Sequence, residues 1–221
     1  MPISKRDRVI HTSKVKRSDK AEKSEQIDTI RSAVEEMRFA YAVTISNERN
    51  NILKAIRDEV KPGKIFYSKN KLIQVALGFT PEAECGEGIH KLTGYMVGHC
   101  GLIVCNQTVE ELTELLQSHE EPEFARAGGV ATETISIPSG FDSMVDFPHS
   151  METQLRKLGM PTLLHDAKIK LLADYTVCKL GDVLTASQAQ LLKLMNIQMA
   201  KFEITLRAVW DKESHQVVSL A

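Results

Sequence analysis

The stretch KIFYSKNKLIQVALG, residues 64–78, decides how this chain is organised. Residues 65–67 form a β-branched and aromatic run after a Pro-Gly turn signal, which predicts a short buried strand. Apolar side chains then recur at helical spacing from Leu72 to Leu77, and Gly78 is a typical residue to end a helix. The sequence therefore predicts a strand that runs directly into a helix, with a polar corner between them.

That corner consists of Ser68, Lys69, Asn70 and Lys71. Backbone N–H groups in the first turn of a helix lack intrahelical partners, and the helix dipole is positive there, so an anion is favoured. The two lysines add mobile cationic donors. One interpretation is a phosphate-binding corner. The other is a capped helix with solvated lysines, and the segment by itself favours this second interpretation because surface lysines are common.

Basic side chains are concentrated in the N-terminal part of the chain, although the formal net charge is −1. Residues 1–23 contain eight Lys or Arg against three Asp or Glu, and residues 49–71 contain seven against two. Residues 106–123 contain six glutamates and neither Lys nor Arg. Such segregation is typical of a protein that binds a polyanion, although a basic surface also serves solubility alone.

A basic arm and a second basic corner belong to this N-terminal part. Residues 1–18 combine high charge with few apolar side chains, so we expect a flexible arm that adds phosphate affinity and directs the protein to the nucleus. After helical and strand patterns, residues 47–50 read Asn-Glu-Arg-Asn, a turn with helix-capping side chains. The apolar stripe of the following helix leaves Arg49, Lys54 and Arg57 pointing to solvent or to a partner.

The stretch that follows residue 137 is rich in prolines and glycines, and the elements predicted there are short. Prolines and glycines break residues 138–161 into turns around one short helix. Residues 168–172 and 175–179 are spaced as a β-hairpin, which predicts a small β-rich module. A helix over residues 185–195 and a cleanly alternating strand over residues 202–210 follow, and we expect both to complete the first domain.

The predicted fold is α/β, a two-layer or sandwich-like mixed sheet with helices that is interrupted by a small β-rich insertion domain. The predicted boundaries are a basic arm at 1–18, one discontinuous α/β domain formed by 19–137 and 185–212 that carries the candidate polyanion-binding surface, an insertion at 138–184 and a short tail at 213–221. The insertion has no basic cluster comparable to those of the first domain. We therefore expect it to be dispensable for binding isolated RNA.

Sequence motifs for catalysis, cofactors and metals do not occur in this chain. The Gly-x-Gly at residues 86–88 lacks a third glycine and does not follow a strand, and no phosphate-binding P-loop occurs. The four cysteines form no C-x-x-C pair, and their spacing with His99 matches no zinc pattern. We predict a non-enzymatic intracellular protein without cofactor or metal. No apolar run is long enough to span a membrane, so no membrane partner is expected.

A series of short motifs, in order along nearly the whole chain, resembles one known family. The motifs are Met1-Pro2-x-Ser4-Lys5-Arg6, Asn47-x-Arg49-Asn50, Lys69-Asn70-Lys71, Ala76-Leu77-Gly78, Ala125-Arg126-Ala127-Gly128, Phe147-Pro148-His149-Ser150-Met151-Glu152, Gln154-Leu155-Arg156, Leu158-Gly159-x-Pro161-Thr162, Asp174-Tyr175-x-Val177-Cys178-Lys179, Gly181-Asp182-Val183-Leu184-Thr185 and Trp210-Asp211. Together they resemble the mRNA turnover protein four family, nucleolar ribosome-assembly factors related to the large-subunit stalk-base protein P-zero and bacterial L-ten.

The resemblance implies a non-enzymatic placeholder that binds large-subunit rRNA at the future stalk base until P-zero replaces it. It implies that the partners are this rRNA, the pre-ribosomal large-subunit particle and its assembly factors, with occupancy mutually exclusive with P-zero. The implied location is the nucleolus and nucleus, and the cytoplasm on late precursor particles. The candidate RNA-binding residues are Arg49, Asn50, Lys54, Arg57, Ser68, Lys69, Asn70, Lys71, Lys5 and Arg6.

Two residues depart from the family pattern. Ser68 stands where many relatives have glycine, and Glu48 stands beside Arg49 where an apolar residue is usual, which is expected to weaken the local positive field. The alternative is a mature ribosomal stalk-base protein. Only ten residues follow Asp211, too few for a helix that recruits further stalk proteins, so we favour the assembly factor.

Overall fold

The computed structural model describes residues 20–141, 145 and 147–220, so the predictions for the basic arm, including Lys5 and Arg6, lie outside the described residues. The helices are α1 Lys20–Glu36, α2 Asn50–Glu59, α3 Asn70–Leu77, α4 Val109–Ser118, α5 Glu152–Lys157 and α6 Ala186–Leu194. The strands are β1 Phe39–Ser46, β2 Lys64–Phe66, β3 Cys100–Cys105, β4 Glu121–Glu123, β5 Ile135–Ile137, β6 Thr162–His165, β7 Lys168–Leu171, β8 Tyr175–Cys178, β9 Ala200–Asp211 and β10 Gln216–Ser219. Short 3₁₀ helices lie at Ile89–Tyr95 and His149–Met151.

The main sheet has the strand order β10-β9-β1-β3-β2, and the described neighbours all pair antiparallel. Because β1 and β2 both run antiparallel to β3, they run in the same direction. Their last residues therefore lie at the end of the sheet where β3 begins, which is the end of the strands and not an outer strand. Both predicted basic corners follow these two strands, so the topology brings the starts of α2 and α3 to one edge of the molecule.

Helices cover both faces of this sheet. On one face, α1 and α3 bury Ile30 and Ile73 against Leu102 of β3. On the other face, α2 and α4 bury Ile56 and Leu112 in a second core. The predicted α/β fold with helices packed on a sheet is therefore confirmed, and the sheet is sandwiched between two helical layers.

The long strand β9 does not alternate cleanly, contrary to prediction. A β-bulge at Arg207 places one extra residue opposite β1. Before the bulge, Phe202 and Ile204 point into the core under α2 and α4. After it, Ala208 and Trp210 point into the core under α1 and α3. Because side chains alternate between the two faces, one extra residue reverses which residues face which core.

The insertion has its own hydrophobic core, and α6 belongs to it. This third core includes Leu155, Leu171 and Val177 together with Leu191 and Leu192 of α6, all of which are buried. The prediction that residues 185–195 complete the first domain is therefore wrong, as is the start of the insertion at residue 138, since the third core already includes residues 125 and 131. Helical periodicity identifies the apolar face of a helix but not the core that receives it.

The predicted hairpin of residues 168–172 and 175–179 is also wrong. The strand β7 pairs with β6 before it, and β8 pairs with the distant β5. The real hairpin turns at Asp166 and Ala167, which both have positive φ values of 48° and 59°. Two-residue turns of this conformation usually contain Asn-Gly or Asp-Gly, so an alanine in the second position concealed the turn.

The predicted tail at 213–221 is structured over part of its length. Residues 216–219 form β10, which pairs with β9 at one edge of the main sheet. Val217 packs against the core under α1 and α3. Among the described helices, none has the length and apolar content that crossing a bilayer requires.

Candidate nucleic-acid interface

The α3 corner presents its two lysines to solvent. Lys69 is the residue before the helix, in an extended conformation, and within the described part of the chain no side chain caps the helix start. The N–H groups of Leu72 and Ile73 donate to the Lys69 carbonyl at 2.8 and 3.2 Å, respectively. The first two amides of the helix, those of Asn70 and Lys71, have no intrahelical acceptor. The corner therefore combines exposed ammonium groups with two amides that have no intrahelical acceptor.

The side chains of Ser68 and Asn70 differ in whether they already make a strong hydrogen bond within the protein. The side-chain amide of Asn70 donates to the Gly98 carbonyl at 2.8 Å, so it ties the helix start to the loop before β3. Ser68 is half-buried, with a long 3.5 Å contact from its hydroxyl to Gln26. Ser68 and Lys69 line an open cleft of about 490 Å³, together with Lys23 of α1. Ser68 and the lysines are therefore available to a ligand, and the Asn70 side chain is already engaged.

The α2 corner keeps its arginine engaged. The guanidinium of Arg49 forms an ion pair with Glu123 of β4, and the same carboxylate accepts a hydrogen bond from the Phe124 amide at 2.9 Å. The Arg49 side chain is only 33% exposed and that of Glu123 18%. Asn50, Lys54 and Arg57 are exposed. Of the four basic or amide groups predicted here, Arg49 is therefore the one whose charge is compensated.

One tyrosine joins the two corners. The hydroxyl of Tyr67, the residue that follows β2, donates to the carboxylate of Glu48 in the α2 corner. Burial, and then this hydrogen bond to a carboxylate, raise the pKa of Tyr67 to about 12. Arg57 lies near this contact, because it lines the same groove as Tyr67 and Ser68. Glu48 therefore connects the corners through its side chain, and its carboxylate already accepts a hydrogen bond.

Other cations at this edge were not singled out from the sequence. Arg126 and Arg207 line an open cleft of about 570 Å³ together with His99, and His99 also lines the cleft of the α3 corner. Arg126 lies in one of the family motifs, but nothing in that motif indicates its contacts. The sequence presents Arg207 as an ordinary outward residue of a strand, and the bulge of β9 falls at this residue. We call residues 68–71, Lys23 and His99 the basic edge, and the cleft of Arg126 and Arg207 lies next to it.

The described residues contain no group of three or more His, Cys, Asp or Glu side chains placed to hold a metal ion. Burial raises the pKa of Cys85 and of Cys105, the latter to about 11. These thiols are therefore protonated at neutral pH and are poor nucleophiles and poor metal ligands. The chemistry of this surface is that of cationic hydrogen-bond donors.

Two family models match the chain. The model for ribosomal protein L10 matches residues 18–121, and the model for the insertion domain in the 60S ribosomal protein of the same family matches residues 125–197. The second match covers nearly the same residues as the third hydrophobic core, including α6. Sequence similarity and packing therefore agree on which part of the chain is inserted.

Full-length relatives give a more specific assignment. A protein named ribosome assembly factor mrt4 from Dictyostelium discoideum is 37% identical over 96% of this chain and 95% of its own length. The mrt4 protein of Neurospora crassa is 36% identical over 100% of this chain and 94% of its own length. The large ribosomal subunit protein uL10 of Thermococcus gammatolerans is 26% identical over 73% of this chain and 47% of its own. The chain therefore belongs to the Mrt4 family of ribosome assembly factors, which is related to ribosomal protein L10.

Proposed function

We propose that this protein binds large-subunit rRNA on the assembling large ribosomal subunit, and that the basic edge is the surface that contacts the RNA. The observation that carries the proposal is that the exposed Lys23 of α1 and Lys69 line one cleft, with the exposed Lys71 two residues further along the chain. Asn50, Lys54 and Arg57 flank this edge on the α2 side. Its role is to bind and position, without catalysis.

The chemistry of the edge suits a folded RNA. Double-helical RNA exposes mainly phosphates and a shallow groove, so proteins grip it through backbone contacts that fix their position. Each phosphate neutralised by Lys or Arg releases bound counterions, which makes the affinity steeply dependent on salt. The exposed Lys69 and Lys71, beside free amides at the start of α3, are the arrangement that such contacts require.

The relationship to uL10 supports a placeholder role. Two proteins that share a fold and present the same edge to one rRNA site cannot occupy that site together. We therefore propose that this protein holds the future stalk base in precursor particles, among their assembly factors, until the stalk protein P-zero replaces it. This role places it in the nucleolus and nucleus, and on late precursor particles in the cytoplasm. The basic arm, with Lys5 and Arg6, would add phosphate affinity and nuclear targeting.

A paired substitution tests the RNA contact directly. Lys69→Ala with Lys71→Ala should weaken binding to a stalk-base rRNA fragment by about 1–3 kcal/mol. The salt slope, which is the slope of the logarithm of the binding constant against the logarithm of the salt concentration, should fall in magnitude by up to roughly two. The stability of the fold should change by less than about 0.5 kcal/mol, because both side chains are exposed. Affinity is measured by titration at several salt concentrations, and stability by urea denaturation.

The matched control is Lys157→Ala with Lys193→Ala, which removes the same charge from exposed positions of the inserted segment, residues 125–197. Equal losses of rRNA affinity from both pairs would mean that the protein binds RNA through its overall charge and not through specific contacts at the basic edge. The placeholder role is tested by crosslinking the protein to RNA in cells and by competition with P-zero on the same fragment. Enrichment of mRNA over precursor rRNA, or simultaneous binding of both proteins, would contradict it.

A further inference from the structure

We propose that Arg126 and Arg207, with His99 between them and the α3 corner, form a second phosphate site, which binds the backbone of the same rRNA. The inference rests on the proposed function. It adds a distinct part of the surface to the RNA site, and it assigns a direct RNA contact to the inserted segment, to which Arg126 belongs.

The side chains that line this cleft carry more positive than negative charge, so the cleft favours an anion. Arg126, Arg207 and His99 line it, together with polar residues at the end of β1. Among the lining residues, Glu48 is the one carboxylate, and the Tyr67 hydroxyl already donates to it. The cleft is open and wide, at about 570 Å³, so a phosphate that remains part of a polymer can enter it.

Both guanidinium groups are held in place by backbone carbonyls. The Nη2 of Arg126 donates to the Glu48 carbonyl at 2.7 Å, and the Nη1 of Arg207 donates to the Val97 carbonyl at 3.2 Å. Each guanidinium carries five N–H donors, so one such contact orients the group and leaves donors for a ligand. Side chains that are ordered before binding lose less conformational entropy on binding.

The loop before β3 connects this cleft to the α3 corner. Arg207 donates to the carbonyl of Val97, and Asn70 at the start of α3 donates to the carbonyl of the next residue, Gly98. Consecutive residues lie only about 3.8 Å apart along the chain. His99 follows and lines both clefts. The two sites therefore share one wall, and a single RNA strand can contact Lys69 and Arg207 on either side of it.

The β-bulge explains how a strand residue reaches this position. A bulge leaves its extra residue unpaired and turns the side chain away from the regular alternation. At Arg207 it lets the flanking residues fill both cores while the arginine reaches the edge of the sheet. The expectation that residues 138–184 are dispensable for binding isolated rRNA stays a prediction, because Arg126 lies before that segment, in the part of the insertion that begins at residue 125.

The test is a paired substitution in the full-length protein. Arg126→Gln with Arg207→Gln should weaken binding to the stalk-base rRNA fragment roughly tenfold, and lower the magnitude of the salt slope by up to about two. Lys157→Gln with Lys193→Gln, the matched control, should leave both quantities within about twofold of the unsubstituted protein. Thermal unfolding is measured alongside, and a second pair, Arg126→Lys with Arg207→Lys, separates charge from geometry: it should restore the salt slope and recover the affinity only in part.

The outcomes distinguish this inference from the proposed function. If the Lys69 and Lys71 pair loses RNA binding while the Arg126 and Arg207 pair retains full affinity and salt slope, the second site does not exist and the proposed function stands. If both pairs bind normally, both proposals fall. If the glutamine pair leaves RNA binding intact and abolishes binding of a poly-glutamate peptide, the cleft serves an acidic protein and the inference is overturned.

Discussion

At the start of α3, Lys69 and Lys71 extend into solvent beside unpaired amides, whereas at the start of α2 the guanidinium of Arg49 is bound to Glu123. Both helices begin at the same edge of the sheet, after strands that run in the same direction. The difference comes from β4, which pairs with the beginning of β9 and carries Glu123 to the α2 corner.

This contrast shows that the availability of a cation is a tertiary property. Arg49 and Glu123 are separated by 74 positions in the sequence, and no local pattern links them. An arginine whose carboxylate partner is largely shielded from water contributes to the fold through that pair, and it must break the pair before it can grip a phosphate. The two corners should therefore respond differently to substitution.

The largest effect that distinguishes the corners is on stability. Arg49→Ala should lower the free energy of unfolding by about 1–2 kcal/mol, because Glu123 loses a charged hydrogen bond in a partly buried site. Its effect on rRNA affinity should be smaller than that of the Lys69 and Lys71 pair. Urea denaturation and RNA titration of each variant measure the two effects. Unchanged stability together with a tenfold loss of affinity would make Arg49 an RNA contact and erase the contrast.

A smaller effect should follow from releasing Arg49. Glu123→Gln keeps an acceptor for the Phe124 amide but removes the negative charge that holds the guanidinium. We expect rRNA affinity to rise by about two- to fivefold and the salt slope to steepen, since one more cation becomes available. Glu121→Gln, an exposed position on the same strand, is the control for the change in net charge. An equal gain in rRNA affinity from both variants would mean that the gain comes from the change in net charge and not from the release of Arg49.

The smallest effect concerns the contact between the corners. Because the folded-state pKa of Tyr67 is raised from 10.0 to about 12, its contribution to stability is complete below pH 10 and is lost as the pH rises through about 12. Tyr67→Phe should remove this part of the alkaline loss of stability, which is worth less than about 1 kcal/mol because the ring is partly exposed. Denaturation between pH 9 and pH 12 measures it. Identical profiles for both proteins would show that the hydrogen bond to Glu48 is absent in solution.

Local signals in the sequence predicted most elements of the first domain. Thr108 and Glu111 have the spacing of a helix capping box, and their side chains and backbone amides do exchange hydrogen bonds at the start of α4. The strand and helix in residues 64–78 were also correct, with Gly78 ending α3 at a positive φ of 95°. Caps, turns and periodicity are properties of a few neighbouring residues, so a single sequence carries them.

Long-range pairing was not predictable in the same way. The partner of β8 is β5, some forty residues earlier, and α6 packs into the core of the insertion because of contacts that periodicity does not encode. The candidate site follows the same division. The exposed lysines of α3 could be identified from their local context, whereas the engaged Arg49 and the cleft of Arg126 and Arg207 depend on where distant segments meet.

The junction formed by β4 and the beginning of β9 has a consequence for the modularity of the chain. Glu123 and Ala200 are direct partners in an antiparallel pair, so the inserted segment leaves and re-enters the first domain at a single point. Residues 124–199 could therefore be exchanged for a two-residue turn such as Asn-Gly without rerouting the rest of the chain. The same gap could receive a foreign domain whose ends lie close together, which makes the junction a natural grafting point.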